Sequence, residues 1–422
     1  MPRILADLSD EERSELYKDF PDYTNPELEQ KYGITITSAA NAGRRKGLRK
    51  TKETRRRAYR GRQLSVNDEK IDPVEEHTLK ERVRTLEADL RRQVAKKAWT
   101  QELVDALSAQ IPSITATPLQ PRRVASGTQK EMCLVISDQH GGSHISASES
   151  GGIGAYDKQA FLTRAQQLID AVTQVKQRHD PSVRRLNIFS LGDNNEGRHI
   201  YRGQTTEIDW NLAQQLINVP EVMARVYVGL LSSFEEIHVY SVPGNHGRVT
   251  FSAKEAVQPT ENFDWVITKI AEQLTRTQDR IVWHIPETWF QLVERLGFRF
   301  LLIHGDTIRS WGGTPQNAVM RNAAKFFELI QAHLPRELSG RAFHYMCLGH
   351  FHTRAWIEST GFDVIMNGAW PGGSMYSARQ LKSSSLPSQT LFSVHPEHGV
   401  TDLWPIYLAS REGLPKVAID AR

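Results

Sequence analysis

Five short segments constrain this chain more than anything else in it: SDQHGG (137–142), LGDNNEG (191–197), PGNHGR (243–248), HGD (304–306) and GHFH (349–352). Each combines glycine with His, Asp or Asn. Each also follows an apolar or β-branched run that reads as a buried strand, such as MCLVIS before the first and RLNIFS before the second. Ligand-type side chains at strand ends, beside glycines that admit a close approach, restrict the chain to an α/β arrangement in which several strand ends meet. One such segment is more often a cap or a satisfied buried group. Five of them predict a single site.

Divalent metals take anionic oxygen and neutral imidazole, and a two-metal site needs one ligand that touches both ions. Asp138 and His140, two residues apart, can turn towards one ion. Asp193 can bridge, Asn245 offers an amide oxygen, and His304, His350 and His352 supply nitrogen. Arg198 and Arg248 follow their motifs closely and are candidates to clamp a phosphate, with solvated surface arginines as the plain alternative.

From Met132 to about Leu408 strands alternate with helices over 157–178, 211–233, about 262–275 and around 316–333, with a hairpin-like pair FQLVER/FRFLLIHGD between the last two. Short strands with little helix follow. This order predicts a mixed β sandwich flanked by helices. The polar segment 371–392 reads as a lid or as an ordinary surface excursion. Cys133 and Cys347, each inside a predicted buried strand, read as small core residues of a protein kept in a reducing, cytoplasmic compartment. No apolar run approaches the ~20 residues of a membrane span, and no secretion signal is expected at the start of the chain.

The net charge of +4 hides an asymmetry. Residues 41–62 hold eleven Lys or Arg against one Glu, an excess of ten positive charges, so the remainder carries six negative ones. Such density points to nucleic acid, the alternative being a solvated arm. Ahead of it, Ser9 with Glu12 forms a capping-box pattern, Thr24 or Asn25 caps a short helix that Gly33 ends, and Ser38 can cap another. Two short helices around a glycine turn make a helix-turn-helix pattern, with a generic small bundle as the alternative. Arg44, Arg45, Lys46, Arg49, Lys50, Lys52, Arg55, Arg56 and Arg57 are the candidate DNA contacts. The expected organisation is a basic DNA-binding module (1–63), a linker (64–128) with an amphipathic helix over about 76–108, a catalytic domain (129–410) and a tail (411–422). Leu79, Val83, Leu86 and Leu90 alternate four and three apart, so that helix can form a homodimer or pack on the catalytic domain.

The ordered blocks D-x-H, G-D-x-x-E, G-N-H, H and G-H-x-H resemble the calcineurin-like metallophosphoesterases over roughly residues 130–370. The resemblance implies a four-layer αββα sandwich of the α/β class. It puts Asp138, His140 and His352 on one ion, Asn245, His304 and His350 on a second, and Asp193 between them. It implies two divalent ions, Mn²⁺ first, with Fe²⁺, Zn²⁺ or Mg²⁺ possible. His246 would then be the general acid or phosphoryl stabiliser. Glu196, where the family's phosphatases have Asp, would orient His246. Gly197 stands where those phosphatases have Arg. Gly247 stands where they have Glu and the DNA-repair nucleases have Asp. The pairing with a helix-turn-helix resembles proteins carried by tailed phages and prophages, which implies the cytoplasm of a bacterial host. The activity implied is phosphoester hydrolysis, and the basic module adds the expectation that the bonds cleaved are phosphodiesters of DNA. A phosphomonoesterase or nucleotide phosphodiesterase is the alternative, and a DNA-binding scaffold with an inactive metal site is the non-enzymatic one.

Overall fold

The computed structural model describes residues 5–35, 37, 39–42, 48–54, 81–82, 84–85, 100–106, 113–114, 130–201, 204–250, 258–309, 315–334, 340–373 and 385–410. Ser38, Arg44, Arg45, Lys46, Arg55, Arg56 and Arg57, most of the 76–108 helix, positions 374–384 and the 411–422 tail lie outside the described residues. The chain divides into two units, Met1–Arg91 and Arg92–Arg422, a boundary inside the expected linker.

In the small unit, α1 (Asp10–Asp19) starts at the Ser9–Glu12 capping box, and α2 (Asn25–Tyr32) starts at a second box, Thr24–Glu27. Gly33 ends α2 in the left-handed conformation that glycine adopts without strain (φ 63°). Leu8, Leu16, Phe20, Leu28, Ile34, Ala39 and Ala42 form its core. Of the candidate DNA contacts described here, Arg49 and Lys52 are exposed. Lys50 instead turns inward, its ammonium 3.7 Å from the Phe20 ring centre and bonded to the Tyr23 carbonyl. Burial pushes its pKa down to about 8, so Lys50 serves the small unit's packing.

The large unit holds two sheets. The first has the order β11-β10-β1-β2-β3-β4. Its strands are β1 (Glu131–Ile136), β2 (Arg185–Ser190), β3 (Glu236–Ser241), β4 (Ile281–His284), β10 (Ser388–His395) and β11 (Gly399–Tyr407). The second has the order β5-β6-β7-β9-β8, from β5 (Phe290–Arg295), β6 (Phe298–Ile303), β7 (Tyr345–Leu348), β8 (Ala355–Ile357) and β9 (Asp363–Met366). β1 through β4 are parallel, as are β6, β7 and β9. β5 and β6 form the expected hairpin, turning at Leu296 and Gly297, both at positive φ as a two-residue hairpin turn requires.

Alternate residues of β1 and β2 serve two different cores. Met132, Leu134, Ile136, Leu186 and Ile188 pack with α3 (Lys158–His179), α4 (Leu212–Leu230) and α5 (Phe263–Leu274). Cys133, Val135 and Phe189 face Phe300, Tyr345 and Cys347 of the second sheet. The opposite face of that sheet, with Leu301, Met346 and Val364, packs on Ala318, Val319 and Ala323 of α6 (Pro315–His333). Strands covered on both faces explain the continuous apolar runs in the sequence. Both cysteines are free and buried. Val104 is fully buried in the first core, so the described end of the expected 76–108 helix packs on the large unit. Among the described residues no helix is long and apolar enough to cross a membrane.

The sheets are also joined by charge. Arg295 of β5 grips Glu131 of β1 through two bonds of 2.7 Å, and Asn187 and Arg185 add bonds of 2.8 and 2.9 Å. Burial alone would raise the Glu131 carboxyl, but these partners hold it below the usual range. Stability from such a depressed carboxyl is present above its unfolded pKa and lost as pH falls through the folded value. Glu131→Gln is therefore expected to cost about 3 kcal/mol near pH 7, where it strands Arg295. Urea unfolding should show the gap to wild type closing as pH falls below the ordinary carboxylate range. A gap independent of pH would exclude the ion pair as its source.

Candidate metal centre

The five motif segments all leave the C-terminal ends of parallel strands: β1, β2 and β3 in one sheet, β6 and β7 in the other. Backbone bonds stitch neighbouring loops together, His140 N to Asp193 O at 3.0 Å and Gly349 N to His304 O at 2.9 Å. Two glycines are dictated by close approach. A Cβ on Gly244 would lie 2.2 Å from Asp193 Oδ1, and one on Gly349 would lie 2.4 Å from Asp138 Oδ2.

Among the described residues six non-glycines have positive φ, and five of them are Asp138, His140, Asp193, His350 and His352. Each such conformation costs of order 1–3 kcal/mol and persists only where the surroundings fix it. Strain is thus concentrated on the candidate ligands.

Three groups of side chains converge: Asp138 with His140 and His352, Asp193 with His304 and His350, and Asp193 with His140 and His246. His140 Nε2 lies 3.1 Å from His352 Nε2, which lies 3.3 Å from Asp138 Oδ1. His304 Nε2 lies 3.0 Å from Asp193 Oδ2 and 3.1 Å from Asn245 Oδ1. Ligands around a tetrahedral ion with bonds of about 2.0–2.1 Å stand about 3.3 Å apart, so these spacings suit a shared cation.

The far side of each ring sharpens the point. His304 Nδ1 lies 2.7 Å from the Leu191 carbonyl, an acceptor, so it carries hydrogen, and in the neutral ring Nε2 is a lone pair. That lone pair faces two oxygen acceptors. His140 Nδ1 is 2.8 Å from Glu196 Oε2, which leaves its Nε2 aimed at another imidazole nitrogen. At His304 a lone pair facing two oxygen acceptors in a buried site calls for a cation between them, and the donor set of imidazole, carboxylate and amide oxygen fits divalent metal. Burial alone would lower the His304 pKa, but the Asp193 carboxylate pushes it up to about 10. His350 goes the other way: burial, helped by the His304 charge, pushes it down to about 4 and keeps its lone pair available.

Glu196 is fully engaged. Its carboxylate bonds His140 at 2.8 Å and stands 3.5 Å from His246 Nδ1, while its backbone carbonyl accepts from that nitrogen at 2.8 Å. The expected Glu196–His246 pair is therefore made chiefly through the main chain, and the side chain orients a candidate ligand as well. Burial would lower the His246 pKa, but Glu196 and Asp193 outweigh it and push it up to about 10. Arg248 is paired with Asp306, and Arg198 is exposed.

Two residues escaped sequence reasoning. The buried Asp264 carboxylate accepts from the backbone N–H of Asp193, Asn194 and Gly244, each at 2.8 Å, and from the Asn194 amide at 2.9 Å. Buried Gln204 donates to both the carbonyl and the carboxylate of Glu196, at 2.7 and 2.8 Å. An Asp in the first turn of a helix is an ordinary feature, so nothing marks Asp264 in the sequence. Asp264→Asn is expected to weaken metal binding about 10–100-fold and to cost roughly 1–3 kcal/mol per donor left unpaired. Metal titration together with thermal unfolding reads both; unaltered metal affinity would remove Asp264 from the site's support.

No family model matches the chain, and no curated protein matches it. Among solved structures it is similar to a novel archaeal phosphodiesterase at 12% identity, covering 65% of this chain and 99% of that one with a TM-score of 0.29. A predicted phosphoesterase from Streptococcus pneumoniae matches at 11% identity, 66% and 99% coverage and a TM-score of 0.25. Zinc-bound Vps29 of Entamoeba histolytica matches at 13% identity, 65% and 99% coverage and a TM-score of 0.26. With TM-scores this low, the functional reading rests on the chain's own residues.

Proposed function

We propose that the large unit is a two-metal phosphoesterase of the four-layer αββα kind, cleaving phosphodiester bonds in DNA that the basic N-terminal module holds. One observation carries the reading: imidazole, carboxylate and amide acceptors converge at 3.0–3.3 Å in two adjoining groups, Asp138 with His140 and His352, and Asp193 with His304 and Asn245, and Asp193 also groups with His140. When bound, divalent cations, Mn²⁺ foremost, would supply a water of pKa about 7 and offset charge on the phosphoryl oxygens. The chain's own part is positioning and proton transfer. Asp138, His140 and His352 would hold one position, and His304, His350 and Asn245 the other. Glu196 fixes the tautomers of His140 and His246. His246, bonded through Nδ1, has Nε2 left to protonate the leaving oxygen. DNA as the substrate is supported by the charge of residues 41–62 alone.

The test is hydrolysis by the full-length protein with Mn²⁺ on plasmid DNA, linear DNA, bis(p-nitrophenyl) phosphate and p-nitrophenyl phosphate. The same assays follow for a variant with Arg44, Arg45, Lys46, Arg55, Arg56 and Arg57 replaced by Ala. Cleavage of DNA and the diester, with DNA alone impaired by the variant, is the expected result. Turnover of the monoester only would end the nuclease reading. DNA binding without any turnover would favour a scaffold.

A further inference from the structure

Tyr201 stands next to the candidate proton donor, yet neither the ligand groups nor the proton transfer uses it. Its ring centre lies 6.3 Å from that of His246, at 65° between the planes, and the residue is 45% exposed. An exposed tyrosine ordinarily turns its hydroxyl to water. Here the hydroxyl is engaged instead, donating to Glu207 Oε2 at 2.9 Å and standing 3.3 Å from Glu196 Oε1. The loop is held as well: buried Gln204 bonds Glu196 on one side and accepts from Ile200 N at 2.8 Å on the other. What Tyr201 offers solvent is therefore the aromatic surface of its ring, beside His246 on a loop that also exposes Arg198 and His199.

We propose that Tyr201 determines specificity as a stacking platform for the base on the leaving side of a nucleic-acid phosphodiester. The proposal rests on the phosphoesterase reading above. In that reaction the oxygen of a water that gives up one proton to solvent forms a bond to phosphorus, the bond from phosphorus to the leaving alkoxide breaks, and the alkoxide takes the proton of His246 Nε2, which the imidazole then recovers from solvent. The group on the leaving oxygen consequently lies beside His246, within reach of the Tyr201 ring. A nucleoside leaving there brings a flat base to that ring, whereas a bare sugar brings nothing to stack. Every base has a π face, so the platform selects for a base without selecting which one.

The experiment compares thymidylyl-thymidine with the analogue whose leaving deoxyribose has no base, so that the leaving alcohol is the same. The wild type is expected to prefer the base-bearing substrate on the order of 10–100-fold in kcat/KM, mostly through KM. Tyr201→Phe keeps the ring and should keep the preference. Tyr201→Leu should lose it, with KM for thymidylyl-thymidine rising to that of the abasic analogue. A wild type that cleaves both alike, a Leu variant that keeps the preference, or a Phe variant that loses it overturns the platform and leaves the phosphoesterase reading standing. Failure to cleave either dinucleotide or bis(p-nitrophenyl) phosphate overturns that reading, and the platform with it.

Discussion

Asp193→Asn is expected to lose metal and turnover together. Its two oxygens serve different neighbours: Oδ2 lies 3.0 Å from His304 Nε2, and Oδ1 accepts the His246 backbone N–H at 2.7 Å. It belongs to the group with His304 and His350 and to the group with His140. The amide has the carboxylate's shape, so the close approach of Gly244 survives and the fold is kept. What it removes is the negative charge proposed to serve both positions and one of two acceptor oxygens. Losing a single oxyanion donor already costs an enzyme about 10²–10³-fold; losing the ligand of both ions should cost on the order of 10³-fold or more. Elemental analysis after dialysis against Mn²⁺ reads the metal, and bis(p-nitrophenyl) phosphate reads the turnover. A variant that retains two ions would remove Asp193 from the bridging position.

His246→Ala is expected to do the opposite with metal. Its Nδ1 is committed to the Glu196 carbonyl at 2.8 Å, and its ring meets His140 edge-on with centres 4.5 Å apart. Removing the ring leaves Asp138, His140 and His352 in place on one side and Asp193, His304 and His350 on the other. Metal content should be unchanged while turnover falls about 10²–10⁴-fold, the range for loss of a general acid. The fall should be steepest for dinucleotides, whose alkoxide needs a proton, and mild for p-nitrophenyl esters, whose phenolate does not. Equal losses on both would mean that His246 does not protonate the leaving group. Loss of one ion would mean that it ligates, as its place beside Asp193 and His140 allows.

The strands that carry the site were legible because they are covered on both faces. EMCLVI and RLNIFS are buried almost throughout, and so read as unbroken apolar runs. The helices were legible from their caps: α1 and α2 begin at the capping boxes of Ser9 and Thr24. β4, with the sequence IVWH, passed unnoticed because an edge strand of four residues, three of them only half-buried, has no period to read. The candidate ligands could be picked out because His, Asp and Asn beside glycine are unusual at strand ends. Their left-handed backbone could not be foreseen, since φ near 50° at Asp138, His140 and Asp193 arises from loops bonded to one another. The same holds for Glu196. Its bond to His140 joins the loops after β1 and β2, a contact between positions 56 apart that only the fold creates. Lys50 shows the limit of charge counting, because a basic residue in a basic run is here folded onto Phe20.

The proposed phosphodiesterase activity depends on cations bound among these ligands. Its most direct test is a titration of the chelator-stripped full-length protein with Mn²⁺, following bound metal and bis(p-nitrophenyl) phosphate hydrolysis in the same samples. The predicted result is no hydrolysis in the stripped protein and activity that rises with occupancy to saturate at two ions per chain. Hydrolysis that persists in the stripped protein, or two ions bound without any turnover, would contradict it.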